Sequence, residues 1–203
     1  MRRTAGLEIS ANQVKELRAR TGAGVMDCRN ALEEAGGDLE RAQMLLRAKG
    51  LAAAARRSGR VAKEGLVTAY IHGEGRLGAL VEINCETDFV ARTPDFKSLA
   101  HDIALQVTAS DPRYVAREDV PADVIGAERA AYAAKARTEG KTQAEAEATA
   151  DAQLETFYQT VCLLSQPFIR DPNQTVGDLI KGVIARTGEN IQVRRFARFR
   201  LGE

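Results

Sequence analysis

Tryptophan is absent from this 203-residue chain, and aromatic residues make up only 5% of it. The core must therefore be built from aliphatic side chains and be largely helical, because aromatic residues are among those strands favour. Cysteine occurs three times, at Cys28, Cys85 and Cys162, widely spaced and with no CxxC pair. That odd set suggests neither a disulfide framework nor a zinc site, and a reducing compartment fits it. No run approaches the roughly 18 apolar residues that span a bilayer. No apolar stretch follows Met1-Arg2-Arg3, so no secretory signal is expected and the expected location is the cytoplasm. Neither sign of charge dominates: 29 Lys and Arg stand against 28 Asp and Glu, a net charge of +1. Such a balance gives no global attraction to nucleic acid or to an anionic membrane. P-loop, GxSxG and HExxH motifs are missing. The two histidines, His72 and His101, have no Cys, His or carboxylate partner at ligand spacing. Neither bond-making chemistry nor a resident metal or cofactor is expected; the pattern is that of a binding module that alters a partner's state.

What is present is enough aliphatic residue, 44% hydrophobic overall, for one large or two modest domains. Residues 9–50 read as a three-helix unit. Ser10 with Gln13 forms a capping box, and Ile9 with Val14 a hydrophobic staple. The first helix carries Val14 and Leu17 to about Arg20, where Thr21-Gly22-Ala23-Gly24 breaks it. A second helix from about Met26 turns Cys28, Ala31, Leu32 and Ala35 inward, and Gly36-Gly37 ends it. Asp38 caps a third, with Leu39, Ala42, Leu45 and Leu46, which Gly50 is expected to stop. Val25 and Met26, apolar at a glycine-rich corner, fit either burial in this small core or an exposed patch shared with Leu17 that docks a partner's helix.

Ala52 to Lys63 reads as a linking helix, Leu66 to His72 and Leu77 to Asn84 as a hairpin turning at Gly73-Glu74-Gly75-Arg76. Gly73, Gly75 and Gly78 spell G-x-G-x-x-G, but a strand follows where a dinucleotide site needs a helix. The run Asn84-Cys85-Glu86-Thr87-Asp88-Phe89-Val90 joins that strand to a helix over Pro94 to Thr108, whose Phe96, Leu99, Ala100, Ile103 and Val107 face the sheet. No surrounding periodicity claims Phe89. It either caps the local core or protrudes as an anchor for a partner's pocket.

Residues 121 to 156 hold twelve alanines and many charges. Gly140 and the Thr142/Glu145 capping box divide them into a helical hairpin, whose second arm ends at Tyr158, Cys162, Leu163 and Leu164. Thr175 and Asp178 open a helix with Leu179, Ile180, Val183 and Ile184 inward, ending at Gly188. In a last strand, alternation puts Ile191, Val193, Ala197, Phe199 and Leu201 on one face, interrupted by Arg195, and Arg194, Arg198 and Arg200 on the other. Four arginines in seven residues suit RNA phosphate, or a solvated face paired with acidic residues.

Val14-Lys15-Glu16-Leu17-Arg18, with Thr21-Gly22-Ala23-Gly24-Val25-Met26-Asp27-Cys28, resembles the amino-terminal, ubiquitin-associated (UBA)-like domain of the elongation factor Ts family. Asn84 to Val90 is similar to that family's central signature, and the match continues in order to the C-terminus. The resemblance implies an α+β protein: a UBA-like three-helix bundle over residues 1–55, then an α+β core and dimerisation domain over 56–203. That core has a three-stranded antiparallel sheet, helices and a helical hairpin inserted at about 121–165. It implies a guanine-nucleotide exchange factor for elongation factor Tu, binding its GDP-bound and nucleotide-free forms. Thr87, Asp88, Phe89 and Val90 would enter the partner's GTPase domain and displace Mg²⁺. Leu17, Val25 and Met26 would grip that domain's outer face. Val25 stands where the family more often has methionine, and Ser165, in Leu163-Leu164-Ser165-Gln166-Pro167-Phe168, where an acidic residue is more usual. Family members with one core unit pair as homodimers, so a symmetric dimer is expected, with no membrane partner and with RNA binding by the arginine row as the alternative.

Overall fold

The computed structural model describes residues 9–203; residues 1–8, which the predicted N-terminal domain includes, lie outside the described residues. Three helices come first: α1 (Ala11–Thr21), α2 (Val25–Glu34) and α3 (Leu39–Arg57). Ser10 caps α1 through the expected box with Gln13, and Asp38 caps α3 by accepting from the Glu40 and Arg41 N–H groups. Leu17, Cys28, Ala31, Leu32, Ala35 and Ala42 close a small core, with Ile9 and Val14 packed on its margin.

The third helix departs from expectation. It runs 19 residues, straight through Gly50, and absorbs the first part of the predicted linking helix. The reason is packing. A Cβ on Gly50 would stand 3.1 Å from the Cβ of Ala185, so glycine lets α3 approach the helix that carries Ala185. That proximity offsets a helix-interior glycine's cost of about 1 kcal/mol. Ala54, at the far end of α3, already belongs to the larger core. One rigid element thus crosses the predicted boundary between residues 55 and 56.

The larger core is a three-stranded antiparallel sheet in the order β1 (Glu64–His72), β2 (Leu77–Cys85), β5 (Gln192–Arg200). One face is covered by α5 (Pro94–Ser110), whose Phe96, Leu99, Ala100, Ile103 and Val107 are buried as the spacing predicts. Helix α8 (Val176–Thr187) adds Val176, Ile180, Val183 and Ile184. A short helix, α4 (Asp88–Ala91), intervenes between β2 and α5 where a loop was expected. The hairpin is α6 (Ala122–Thr138) against α7 (Gln143–Val161), with Ala136, Ala146 and Ala150 buried. At its base Val120, Val161 and Cys162 form a third small core. Arg117 fastens that base: both guanidinium NH groups donate to Glu155, at 2.8 and 2.7 Å, and the plane lies over the Tyr158 ring. A small ribbon, β3 (Pro167–Phe168) with β4 (Asp171–Thr175), leads into α8.

The last strand corrects a second expectation. Glu82 faces Arg195 and Ile83 faces Val193, so Arg194 is an extra residue bulged out of β5. A bulge reverses the alternation beyond it. Ile191 and Val193 point into the core, whereas Phe199 and Leu201 point out of it, 71% and 68% exposed. Phe196 packs against the core instead, and the Arg198 side chain is largely buried, donating to the Thr108 carbonyl at 3.1 Å. Together with Val67, Ile71 and Leu80, Phe199 and Leu201 leave much of the second face of the sheet open and apolar, with the Glu82–Arg195 ion pair toward one end.

Candidate functional site

The sheet-to-helix junction is built from the end of β2 outward. Cys85 is fully buried, and burial, reinforced by the negative charge of Glu189, pushes its thiol up to about 11. It remains a neutral thiol and donates to the Thr87 carbonyl at 3.1 Å. Thr87 is extended (φ −129°, ψ 154°) and caps α4, its hydroxyl accepting from the Val90 N–H at 3.4 Å. Asp88 opens α4 and pairs along it with Arg92 at 2.7 Å. Val90 turns inward and packs against the main core.

Phe89 is left outside, 78% exposed. Core capping is therefore excluded, since the ring's own subunit covers little of it. The bare ring stands on a short capped element between a strand and a helix, the kind of connection on which proteins place binding residues. The four junction residues divide by geometry: Phe89 and Asp88 face solvent, while Thr87 and Val90 anchor them.

In the N-terminal bundle Val25 and Met26 are 53% and 62% exposed at the first turn of α2. Leu17 is not with them. It is fully buried in the small core, so it leaves the predicted docking patch and serves as the bundle's packing centre. On α1 a helical spacing cannot say which apolar residue is covered once α2 and α3 fold over it.

The arginine row does not form a face. Arg195 donates to Glu82 at 2.7 Å with Arg194 alongside, Arg198 reaches Asp111 and Glu203, and Arg200 reaches Glu203. The bulge splits the four residues, and acidic partners neutralise them. Ser165, the departure in the segment after α7, accepts from Arg117 Nε at 3.3 Å. Among the described residues no group of three His, Cys, Asp or Glu is arranged to hold a metal, and no helix is long and apolar enough to cross a membrane.

Sequence reasoning placed the helix end at Gly188 but missed Glu189 and Asn190, the two residues that hold the junction in place. Gly188, in the left-handed region (φ 78°), ends α8 and throws Glu189 and Asn190 back toward β2. Glu189 accepts from the N–H groups of Glu86 and Thr87 at 3.1 and 3.0 Å and from the Thr87 hydroxyl at 2.6 Å. Glu86 accepts in return from the Asn190 N–H at 2.6 Å. Asn190 donates onward to the carbonyls of Ser58 and Arg60, beyond the end of α3. These partners lie more than 100 residues apart along the chain, and no local pattern announces such a pairing.

Fold and junction together define a two-part α+β protein, a helical bundle joined to a half-covered sheet that presents a bare aromatic on a short helix. Comparison with known proteins gives the family. Residues 51–203 match the family described as "Elongation factor TS". The protein named elongation factor Ts in Carboxydothermus hydrogenoformans is 60% identical over 195 residues, covering 96% of this chain and 90% of the relative. That of Moorella thermoacetica is 58% identical over 195 residues, 96% of each chain. That of Coprothermobacter proteolyticus is 56% identical over 197 residues, 97% of this chain and all of the relative. The chain belongs to the elongation factor Ts family, and with it to the elongation factors of protein synthesis.

Proposed function

We propose that this chain is a guanine-nucleotide exchange factor for elongation factor Tu, with no bond chemistry of its own. It binds the partner's GTPase domain in both GDP-bound and nucleotide-free states, and Phe89 with Asp88 dislodges the Mg²⁺ that holds GDP. The observation that carries the reading is Phe89 itself, 78% exposed at the tip of a capped helix in a chain of this family. Val25 and Met26 form the second contact, on the outer face of the same domain, and their exposure supports it. The site of action is the cytoplasm.

The physics is linkage. A protein that binds the nucleotide-free partner more tightly than the loaded one weakens nucleotide by the same factor. Loss of Mg²⁺ removes the cation that bridges and neutralises the phosphate oxygens. Loosening GDP a thousandfold requires a coupling of about 4 kcal/mol. Full burial of one Phe contributes about 1.5–3 kcal/mol, so Phe89 cannot act alone and the N-terminal bundle must add binding energy.

The open sheet face supports a symmetric homodimer. Val67, Ile71, Leu80, Phe199 and Leu201 make one apolar patch, and a two-fold axis would set that patch against its own copy. RNA binding by the C-terminal arginines has no such support, because their charges are paired and split between the two faces.

Release of a fluorescent GDP analogue from purified elongation factor Tu tests the main reading. Catalytic amounts of this chain should accelerate release; release at the spontaneous rate would overturn the proposal.

A further inference from the structure

The ring of Phe89 makes too little contact with its own subunit to fix its position by packing. Its direction is therefore the direction of α4, and α4 is only four residues long. So short a helix does not hold itself in water. Whatever holds Thr87, the cap and the connection to β2, decides where the aromatic points.

Thr87 is held at every polar atom. Its N–H donates to Glu189 at 3.0 Å, its carbonyl accepts from the Cys85 thiol at 3.1 Å, and its hydroxyl donates to Glu189 at 2.6 Å. The hydroxyl has one hydrogen. Committing that hydrogen to Glu189 turns the oxygen lone pairs toward α4, where the Val90 N–H donates at 3.4 Å. The cap is thus oriented from outside the helix. The same carboxylate also takes the Glu86 N–H at 3.1 Å, and Glu86 returns the contact by accepting from the Asn190 N–H at 2.6 Å. Two loops more than 100 residues apart in sequence exchange carboxylates and clasp each other. The charged groups around the clasp are Glu189 and Glu86, with Arg60 3.6 Å from the Glu86 carboxylate and Glu64 near Cys85.

We infer that Glu189 is a positioning residue for nucleotide exchange: its carboxylate fixes Glu86 and Thr87 so that α4 presents Phe89 in one orientation. The inference rests on the exchange reading above. Without Glu189, α4 stays tethered by Val90 but samples several directions, and the wedge meets its pocket in only a fraction of encounters. Apparent efficacy falls by that fraction. Glu189 touches neither nucleotide nor metal in this scheme and acts only through Phe89.

The experiment measures stimulated GDP release from elongation factor Tu with wild type, Glu189→Ala, Glu189→Gln, Phe89→Ala and the Glu189→Ala/Phe89→Ala double variant, each checked by thermal unfolding. A carboxylate with three donors is a charge-assisted site, so Glu189→Ala should lower the maximal release rate about tenfold or more. Glu189→Gln, whose amide oxygen still accepts, should fall between. In the Phe89→Ala background Glu189→Ala should cost nothing further, a non-additivity that general destabilisation would not produce. Thr87→Val replaces the hydroxyl by a methyl, breaking its bonds to Glu189 and to the Val90 N–H, and carries the same test if Glu189→Ala does not fold. Wild-type acceleration with an unimpaired Glu189→Ala, or losses that add in full in the double variant, would overturn the inference alone. A wild type that leaves GDP release at its spontaneous rate would overturn the exchange reading and this inference with it.

Discussion

Gly50 lies so close to Ala185 that a Cβ on the glycine would stand 3.1 Å from the alanine's methyl carbon. That approach joins α3 to α8, and the Arg47–Asp178 ion pair at 3.1 Å spans the same two helices. The helix that seats the N-terminal bundle is therefore also the one whose C-terminal turn carries Glu189 to the Phe89 junction.

Substitution at Gly50 should show the contact directly. Gly50→Ala gains helix propensity of up to about 1 kcal/mol and meets a tight but small contact, so its net effect on denaturation should be slight. Gly50→Leu overpacks the seam and should cost about 1–3 kcal/mol in urea unfolding. An unchanged midpoint for the leucine variant would show that the helices are not in contact.

Phe89→Ala should separate function from stability. An exposed ring contributes little to folding, so unfolding should shift by no more than about 0.5 kcal/mol. Stimulated GDP release should drop at least about tenfold, as expected for losing one buried aromatic at the partner interface. Wild-type release rates with this variant would remove Phe89 from the mechanism.

Leu17 and Met26 should behave oppositely. Leu17→Ala empties the centre of the small core and should destabilise the bundle by about 2–5 kcal/mol. Met26→Ala, at an exposed position, should leave unfolding unchanged and weaken binding to elongation factor Tu in calorimetry. Unaltered affinity would exclude Met26 from the interface.

The open sheet face makes oligomeric state a direct reading. Phe199→Glu places a charge in the apolar patch and should convert a dimer to a monomer in sedimentation at micromolar concentration, with the fold retained in circular dichroism. A monomeric wild type under the same conditions would refute the dimer.

Cys85 supplies a pH prediction. Its thiol is raised from 9.0 to about 11 by burial first and by Glu189 second, so the folded state holds this proton more tightly than the unfolded chain does. The stability that the neutral thiol contributes is complete below pH 9 and lost as pH rises toward 11. The advantage of wild type over Cys85→Ala in thermal unfolding should shrink across that window; a gap constant with pH would contradict the assignment.

Much of the fold was legible locally. Caps at Ser10, Asp38, Thr142 and Thr175, the hairpin turn at Gly73 to Arg76, and the buried stripe of α5 all follow from hydrogen-bonding capacity and side-chain period, which neighbouring residues set among themselves. The junction signature was legible as well, on the resemblance carried by Asn84 to Val90. Where reading failed, a distant element had intervened: α8 let Gly50 stay helical, and α2 with α3 covered Leu17.

Sequence by itself determined the capped helices, the hairpin strands and the presence of an aromatic that no periodicity claims, because propensity and pattern act over a few residues; the α+β class came with the family resemblance. Only the tertiary structure decided that this aromatic stands in water, that a bulge at Arg194 turns Phe199 outward, and that Glu189 grips Thr87 across 102 residues of chain. Exposure, strand register and long-range hydrogen bonds depend on which surfaces meet, and no single segment encodes that meeting.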